Sequence, residues 1–151
     1  MHNSIELPGD ILDRLKWAAI QDAPTKLLAI NFLSAPQRIL NEYLYSVGSN
    51  LRAYNCILFY RRAGIDQNIH IDCDNSTPPK VIKCALNIPL ENCCDSFMEW
   101  YGGEYSTSAS SYVGDDGITR SFLRINDTSP LITVDQCIIT EPTLVAVNKP
   151  H

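Results

Sequence analysis

The sequence predicts a mostly β domain preceded by a helical segment. Helical periodicity is confined to about the first fifty residues, and after Gly48 short apolar or alternating runs are separated by turn residues. The chain has 151 residues, 45% hydrophobic and 19% charged, which suits one folded domain spanning 1–151 with its own core. We therefore divide it into a helical lead, 1–50, and a β core, 51–151.

Two helices are predicted in the lead. Pro8-Gly9-Asp10 is a start signal, and five residues of one helical face follow it: Ile11, Leu12, Leu15, Ala18 and Ala19. The second helix is predicted to begin with a capping box formed by Ser34 and Gln37, and to stop at Gly48. Its apolar stripe consists of Ile39, Leu40, Tyr43 and Leu44.

Seven runs in the second part are predicted strands. They are "AYNCILFYR", "NIHID", "VIKCALNIPL", "SFMEWY", "TRSFLRI", "LITVDQCII" and "TLVAVN". Short strands at near-regular spacing are typical of sandwiches and barrels, so the core is predicted to be jelly-roll-like. The serine- and glycine-rich stretch 102–119 is predicted to be a loop, either a lid over a site or a plain surface loop.

Composition narrows the class of protein. Twelve Lys and Arg against 17 Asp and Glu leave a net charge of −5, so we expect no general attraction for nucleic acid. No run approaches the roughly 20 apolar residues of a membrane span, and the N-terminus lacks an apolar signal segment, which predicts a cytoplasmic protein. The six cysteines are predicted to be free thiols, although an even number also permits disulfides.

His70 and Asp72 carry the strongest chemical signal. Side chains alternate across a strand, so in "NIHID" these two share a face and can take adjacent positions on a metal. Two histidines and one carboxylate form the ligand set of non-haem Fe(II) oxygenases. The third ligand would be His2 or His151, and His151 is favoured because His2 lies in an N-terminus expected to be loose. The alternative is a surface pair without a metal.

Three pieces in this order resemble the Fe(II)- and 2-oxoglutarate-dependent dioxygenases, in particular phage and bacterial members. They are "HID" (70–72), "ALNIPLENCCDSFMEWY" (85–101) and "PTLVAVNKPH" (142–151). The resemblance implies a double-stranded β-helix (jelly-roll or cupin-like) core in which His70, Asp72 and His151 bind Fe(II). It further implies 2-oxoglutarate and O2 as co-substrates and hydroxylation of a small molecule, peptide or nucleotide.

The family usually holds the far carboxylate of 2-oxoglutarate with an Arg about ten residues beyond the distal His, on the last core strand. The sequence ends at His151, so we expect that strand to be missing from a fragment, or the anchor to come from elsewhere. One family branch uses a Lys on the strand after H-x-D, which points to Lys83, with Asn87 on the same face. The other candidates for this role are Tyr60, Arg120 and Arg124.

Two other functions stay open. A non-catalytic jelly-roll module for binding or virion structure would need no metal, and a cupin-like metalloenzyme would use no 2-oxoglutarate. The discriminating feature is whether the ligand atoms of His151 converge on those of His70 and Asp72 to within roughly 3–4 Å, as ligation of one ion requires.

Overall fold

A computed structural model describes residues 1–22, 30–59, 68–90, 93–94, 96–113, 117 and 119–151. Tyr60 lies outside the described residues. The elements in chain order are β1 (His2–Ser4), α1 (Gly9–Asp22), β2 (Ile30–Phe32), α2 (Ser34–Ser46), β3 (Ile57–Phe59), β4 (His70–Asp72), β5 (Cys84–Asn87), β6 (Phe97–Gly102), β7 (Thr107–Val113), β8 (Thr119–Ile125), β9 (Ile132–Ile138) and β10 (Thr143–Ala146).

The chain forms two compact units. The first consists of Met1–Glu6, Asp66–Val113 and Thr119–His151, and the second of Leu7–Ile65 and Gly114–Ile118. The second unit holds both helices and an antiparallel pair, β2–β3. Four of the five residues predicted for the apolar face of α1 are buried, namely Ile11, Leu15, Ala18 and Ala19. Strand β2 was not predicted, because it lies inside the segment whose pattern is helical.

The start of α2 differs from the prediction. Its N-cap residue is Leu33, which makes no side-chain cap bond, so Ser34 is the first helical residue and the capping box is wrong. The Gln37 amide instead donates to the carbonyl of Ala53 at 3.1 Å and so connects the helix to the chain that leads into β3. The predicted stop is confirmed, since Gly48 has φ 71°, a conformation that glycine adopts without a steric penalty.

The first unit is built from antiparallel sheets. Among the described residues their strand orders are β1-β10-β5, β4-β8-β7 and β6-β9. The predicted β-rich fold is confirmed, while its finer assignment to the jelly-roll class stays a prediction. The expectation of a loose start is wrong, because His2–Ser4 pairs with Thr143–Val145 of β10.

Part of the predicted loop 102–119 is a strand. Residues Thr107–Val113 form β7, which pairs with the whole of β8 in an unbroken register from Thr107↔Ile125 to Val113↔Thr119. The serine-rich composition suggested a loop. In the structure, the backbone groups of these residues pair with β8, and this pairing takes the place of the hydrogen bonds to water that a loop would make. The loop and lid predictions are therefore wrong for Thr107–Val113.

Trp100 lies at the centre of the core of this unit. It is fully buried and packs with Ile139, Val145 and Val147. Its indole N–H donates to the carbonyl of Ala146 at 2.6 Å, and the His2 ring stacks on it with centroids 5.6 Å apart. The buried side chain thus joins β6 to the end of β10, the segment that continues to His151.

The six cysteines, all of which lie in the described residues, are thiols and form no disulfide, as predicted. Within the described parts of the chain, neither helix is long and apolar enough to cross a bilayer.

Replacing Trp100 by Phe is expected to lower the free energy of unfolding by about 1–3 kcal/mol, because the Ala146 carbonyl loses its donor in a buried site. The measurement is the urea midpoint followed by circular dichroism. The control is Phe97→Leu on the same strand, where the side chain is 60% exposed and little change is expected. Equal midpoints for the two variants would contradict the role assigned to Trp100.

Candidate metal centre

The site begins with two backbone hydrogen bonds between residues 81 positions apart. His70 N–H donates to the carbonyl of His151 and His151 N–H donates to the carbonyl of His70, both at 3.1 Å. Further along, Asp72 N–H donates to the carbonyl of Val147 at 3.1 Å. The segment from Val147 to His151 therefore runs beside β4, on the edge opposite to β8.

This pairing explains why two imidazoles meet. Residues that exchange both backbone hydrogen bonds lie directly opposite each other and project their side chains to the same side. The ring centroids of His70 and His151 are 4.6 Å apart. Asp72 lies two residues further along β4 and shares their face, because side chains alternate along a strand.

Both rings are oriented by their own backbone. The Nδ1 of His70 lies 2.8 Å from the carbonyl of Asn68, and the Nδ1 of His151 lies 3.0 Å from the carbonyl of Lys149. In a neutral ring the proton is then on Nδ1, which leaves the lone pair on Nε2. Metal-binding histidines are commonly held in this way by a carbonyl on the other nitrogen.

The three ligand atoms converge. His70 Nε2 lies 3.3 Å from Asp72 Oδ1, and the ligand atoms of His70, Asp72 and His151 all lie within 4.8 Å of one another. The distance between His70 and Asp72 falls within the roughly 3–4 Å expected from the sequence. The 4.8 Å limit that holds for all three ligand atoms is wider than that expectation. With Nδ1 protonated, Nε2 and the carboxylate are two acceptors facing each other, an arrangement that a cation or an extra proton stabilises.

Burial favours the metal-binding form of one ligand. The His151 ring is largely withdrawn from water, and this desolvation holds its pKa below the ordinary value of about 6.5. The Lys149 carbonyl and the Asp72 carboxylate raise the pKa of His151, and a charged His70 lowers it further. Burial has the largest effect of the four. A neutral imidazole is the form that binds a metal.

The other predicted site residues lie at different places. Arg124 lies directly opposite His70 in the β4–β8 register, so it shares the face of the ligands. Lys83 is exposed and its carbonyl accepts from Val147 N–H, while the half-buried Asn87 lies opposite Thr143 on the β5–β10 pair. Their roles, and that of Tyr60, stay predictions.

Two aromatic neighbours were not predicted. Phe122 lies opposite Asp72 and meets the His70 ring edge-on with centroids 6.0 Å apart, and Tyr112 of β7 lies 6.2 Å from Phe122. The alternation in "TRSFLRI" places Phe122 between Arg120 and Arg124 on one face, which is a signal that the sequence does contain. Tyr112 had no such signal because its strand resembled a loop.

Comparisons of the chain with protein-family models, with curated proteins and with solved structures found no match.

Replacing His70, Asp72 or His151 by Ala is expected to weaken Co(II) binding at least about 100-fold, since loss of even an outer partner commonly costs 10–100-fold. Calorimetry gives the affinity, and the visible spectrum of Co(II) reports its coordination. His2→Phe is the matched control, because it removes the third imidazole of the chain and keeps a ring against Trp100. A loss of affinity in His2→Phe equal to that in His151→Ala would refute the assignment.

In the metal-free protein, NMR titration is expected to give His151 a pKa below that of the same residue in the urea-unfolded chain. The unfolded state then takes up the proton more readily. The stability that neutral His151 contributes is therefore present above about pH 6.5 and is lost as the pH falls below it. A folded-state pKa at or above the unfolded value would show that burial is not the dominant influence.

Proposed function

We propose that the protein is an Fe(II)/2-oxoglutarate-dependent dioxygenase, most simply a hydroxylase, on a jelly-roll core. The observation that carries the proposal is the convergence of His70, Asp72 and His151, with both imidazoles oriented through Nδ1 by backbone carbonyls. Two histidines and one carboxylate are the ligand set of this class, which leaves coordination positions open for a co-substrate and O2. When bound, the iron, 2-oxoglutarate and O2 would supply the oxidant that hydroxylation of a C–H bond requires.

Charge supports an anionic co-substrate. Asp72 is the carboxylate of the ligand set, so a divalent ion held there keeps one positive charge. A guanidinium on the same face adds a second. Together these two positive charges match the two carboxylates of 2-oxoglutarate.

Arg124 is the residue we propose for the far carboxylate. The backbone N–H and C=O of His70 both bond to His151, so His70 and its cross-strand neighbour Arg124 form a non-hydrogen-bonded pair. In such pairs the side chains lie closer than in hydrogen-bonded pairs, with Cα atoms about 4.5 Å apart. The arginine fork matches a carboxylate in two places. Its exposed position beside the half-exposed Asp72 leaves it reachable from solvent.

The test is an anaerobic titration with Fe(II), with and without 2-oxoglutarate, followed in the visible spectrum. A weak charge-transfer band that needs both components is expected for the native chain. In Arg124→Gln the 2-oxoglutarate concentration needed for half the band should rise at least about tenfold, with Fe(II) affinity unchanged, because a charge-assisted pair is lost. Arg52→Gln, at an exposed arginine bonded to the carbonyl of Leu51, is the control.

The other outcomes select the alternatives. If Lys83→Met raises the requirement and Arg124→Gln does not, Lys83 is the anchor. Iron binding without any band would favour a cupin-like metalloenzyme that uses no 2-oxoglutarate. Absence of iron binding would contradict the proposal and favour a non-catalytic binding module.

A further inference from the structure

Strand β7 lies at one edge of the β4-β8-β7 sheet. Its register with β8 is unbroken over all seven residues, and each of them except the half-buried Ser110 is exposed. Within the described parts of the chain, no strand pairs with the outer side of β7. A row of backbone groups therefore faces away from this sheet.

Two observations show which residues of β7 turn their backbone groups outward. Asn126 N–H donates to the carbonyl of Ser106 at 3.1 Å, so the even-numbered residues at this end of the ladder bond to the β8 side. The pairing of His70 with Arg124 agrees, because its non-hydrogen-bonded geometry turns the backbone of Arg124 towards Ser108. The residues whose N–H and C=O point away from the sheet are therefore Thr107, Ala109, Ser111 and Val113.

Other strand edges in the described ranges have features that discourage pairing with another chain. Strand β9 is as long as β7, but its ladder with β6 is interrupted by a register shift, and the Asp135 carboxylate accepts from the N–H of Gln136 at 2.9 Å. Strands β1 and β5 have only three and four residues. Strand β7 contains no charged residue and no proline, and its register is regular, so it is an unprotected template for a further strand.

The side chains of β7 are complementary to a second, antiparallel copy of the same strand. The large residues Tyr112 and Val113, 45% and 66% exposed, lie at one end, and smaller residues lie at the other. If two copies pair around Ser110, Tyr112 lies opposite Ser108 of the second copy and Val113 lies opposite its Thr107. Because β7 carries no charge, this pairing brings no like charges together along the strand.

We propose that the protein forms a two-fold dimer in which β7 pairs antiparallel with β7 of a second copy, with Ser110 at the symmetry axis. This register uses the whole strand and sets every outward residue opposite another outward residue, so that their backbone groups bond to each other. It joins the two three-stranded sheets into one and leaves neither β7 edge free for a third copy. Both candidate metal centres then open on the same face, with their β4 strands five strand spacings apart, on the order of 24 Å.

The test is sedimentation equilibrium of the metal-free full chain over a range of concentrations. We expect the mass to rise from the 16.9 kDa of one chain to twice that value. Ala109→Pro removes an outward N–H that does not bond to β8, a position where an edge strand tolerates proline. It should raise the dissociation constant of the dimer at least about tenfold, because each copy loses a donor. Ala109→Val, which keeps the N–H, is the matched control and should dimerise as the native chain does.

A pair of double variants tests the register and does not depend on the proline variant folding. In the proposed dimer Ala109 lies opposite Ser111 of the second copy. Ala109→Lys combined with Ser111→Lys sets like charges opposite each other at two places and should abolish the dimer, whereas Ala109→Lys combined with Ser111→Glu sets opposite charges there and should restore it. Both positions lie on the face of the sheet away from His70, so Co(II) affinity should stay at the native value and report that each variant is folded.

Four results would overturn the inference. A native chain that stays monomeric at every soluble concentration would leave the edge of β7 for a strand of another protein. A mass that grows beyond two chains would mean an open assembly rather than a closed dimer. A dimer of equal stability in all the variants would place the interface elsewhere, and a Lys–Glu variant no more dimeric than the Lys–Lys variant would refute the register around Ser110. Because the measurement needs neither iron nor 2-oxoglutarate, its outcome is independent of the proposed reaction.

Discussion

The reciprocal backbone hydrogen bonds between His70 and His151 are the constraint on which the rest of the site depends. They make the two residues direct cross-strand partners, so the imidazoles must share a face, and Asp72 joins them through the alternation of β4. The same bonds occupy the backbone of His70 and leave the pair with Arg124 non-hydrogen-bonded. The candidate metal ligands and a nearby guanidinium are thus brought together by one pairing.

The core around Trp100 stabilises the segment that pairs with β4. Trp100 packs on Val145 and Val147, and its indole donates to Ala146, just before the segment that reaches β4. The amide of Tyr101 donates to the carbonyl of Pro150 at 2.9 Å, so β6 borders the same segment. Burial that stabilises the fold also withdraws the His151 ring from water, which lowers its pKa and favours the neutral form that binds metals. Stability and ligand chemistry therefore have a common origin in this unit.

Local patterns were predicted well where one period dominates. The face of α1 and the H-x-D alternation in β4 depend on neighbours three or two residues away, so the chain order alone contains them. Predictions failed where the structure of a segment depends on the strand it pairs with or on the path of the backbone before it. Thr107–Val113 looks like a loop until β8 pairs with it, and the Ser34 capping box fails because the backbone enters α2 one residue earlier, at Leu33. His2 lies in a strand because β1 pairs with β10.

By itself the sequence determined the β-rich class, the two helices, the reduced cysteines and the shared face of His70 and Asp72, since these follow from composition and short-range periodicity. Only the tertiary structure decided that ligand atoms of His151 lie within 4.8 Å of theirs, and that the aromatic and guanidinium groups of β7 and β8 continue the same face. The reason is register. Which residue of one strand opposes which residue of another depends on pairings between segments far apart in the chain, and local sequence patterns do not specify them.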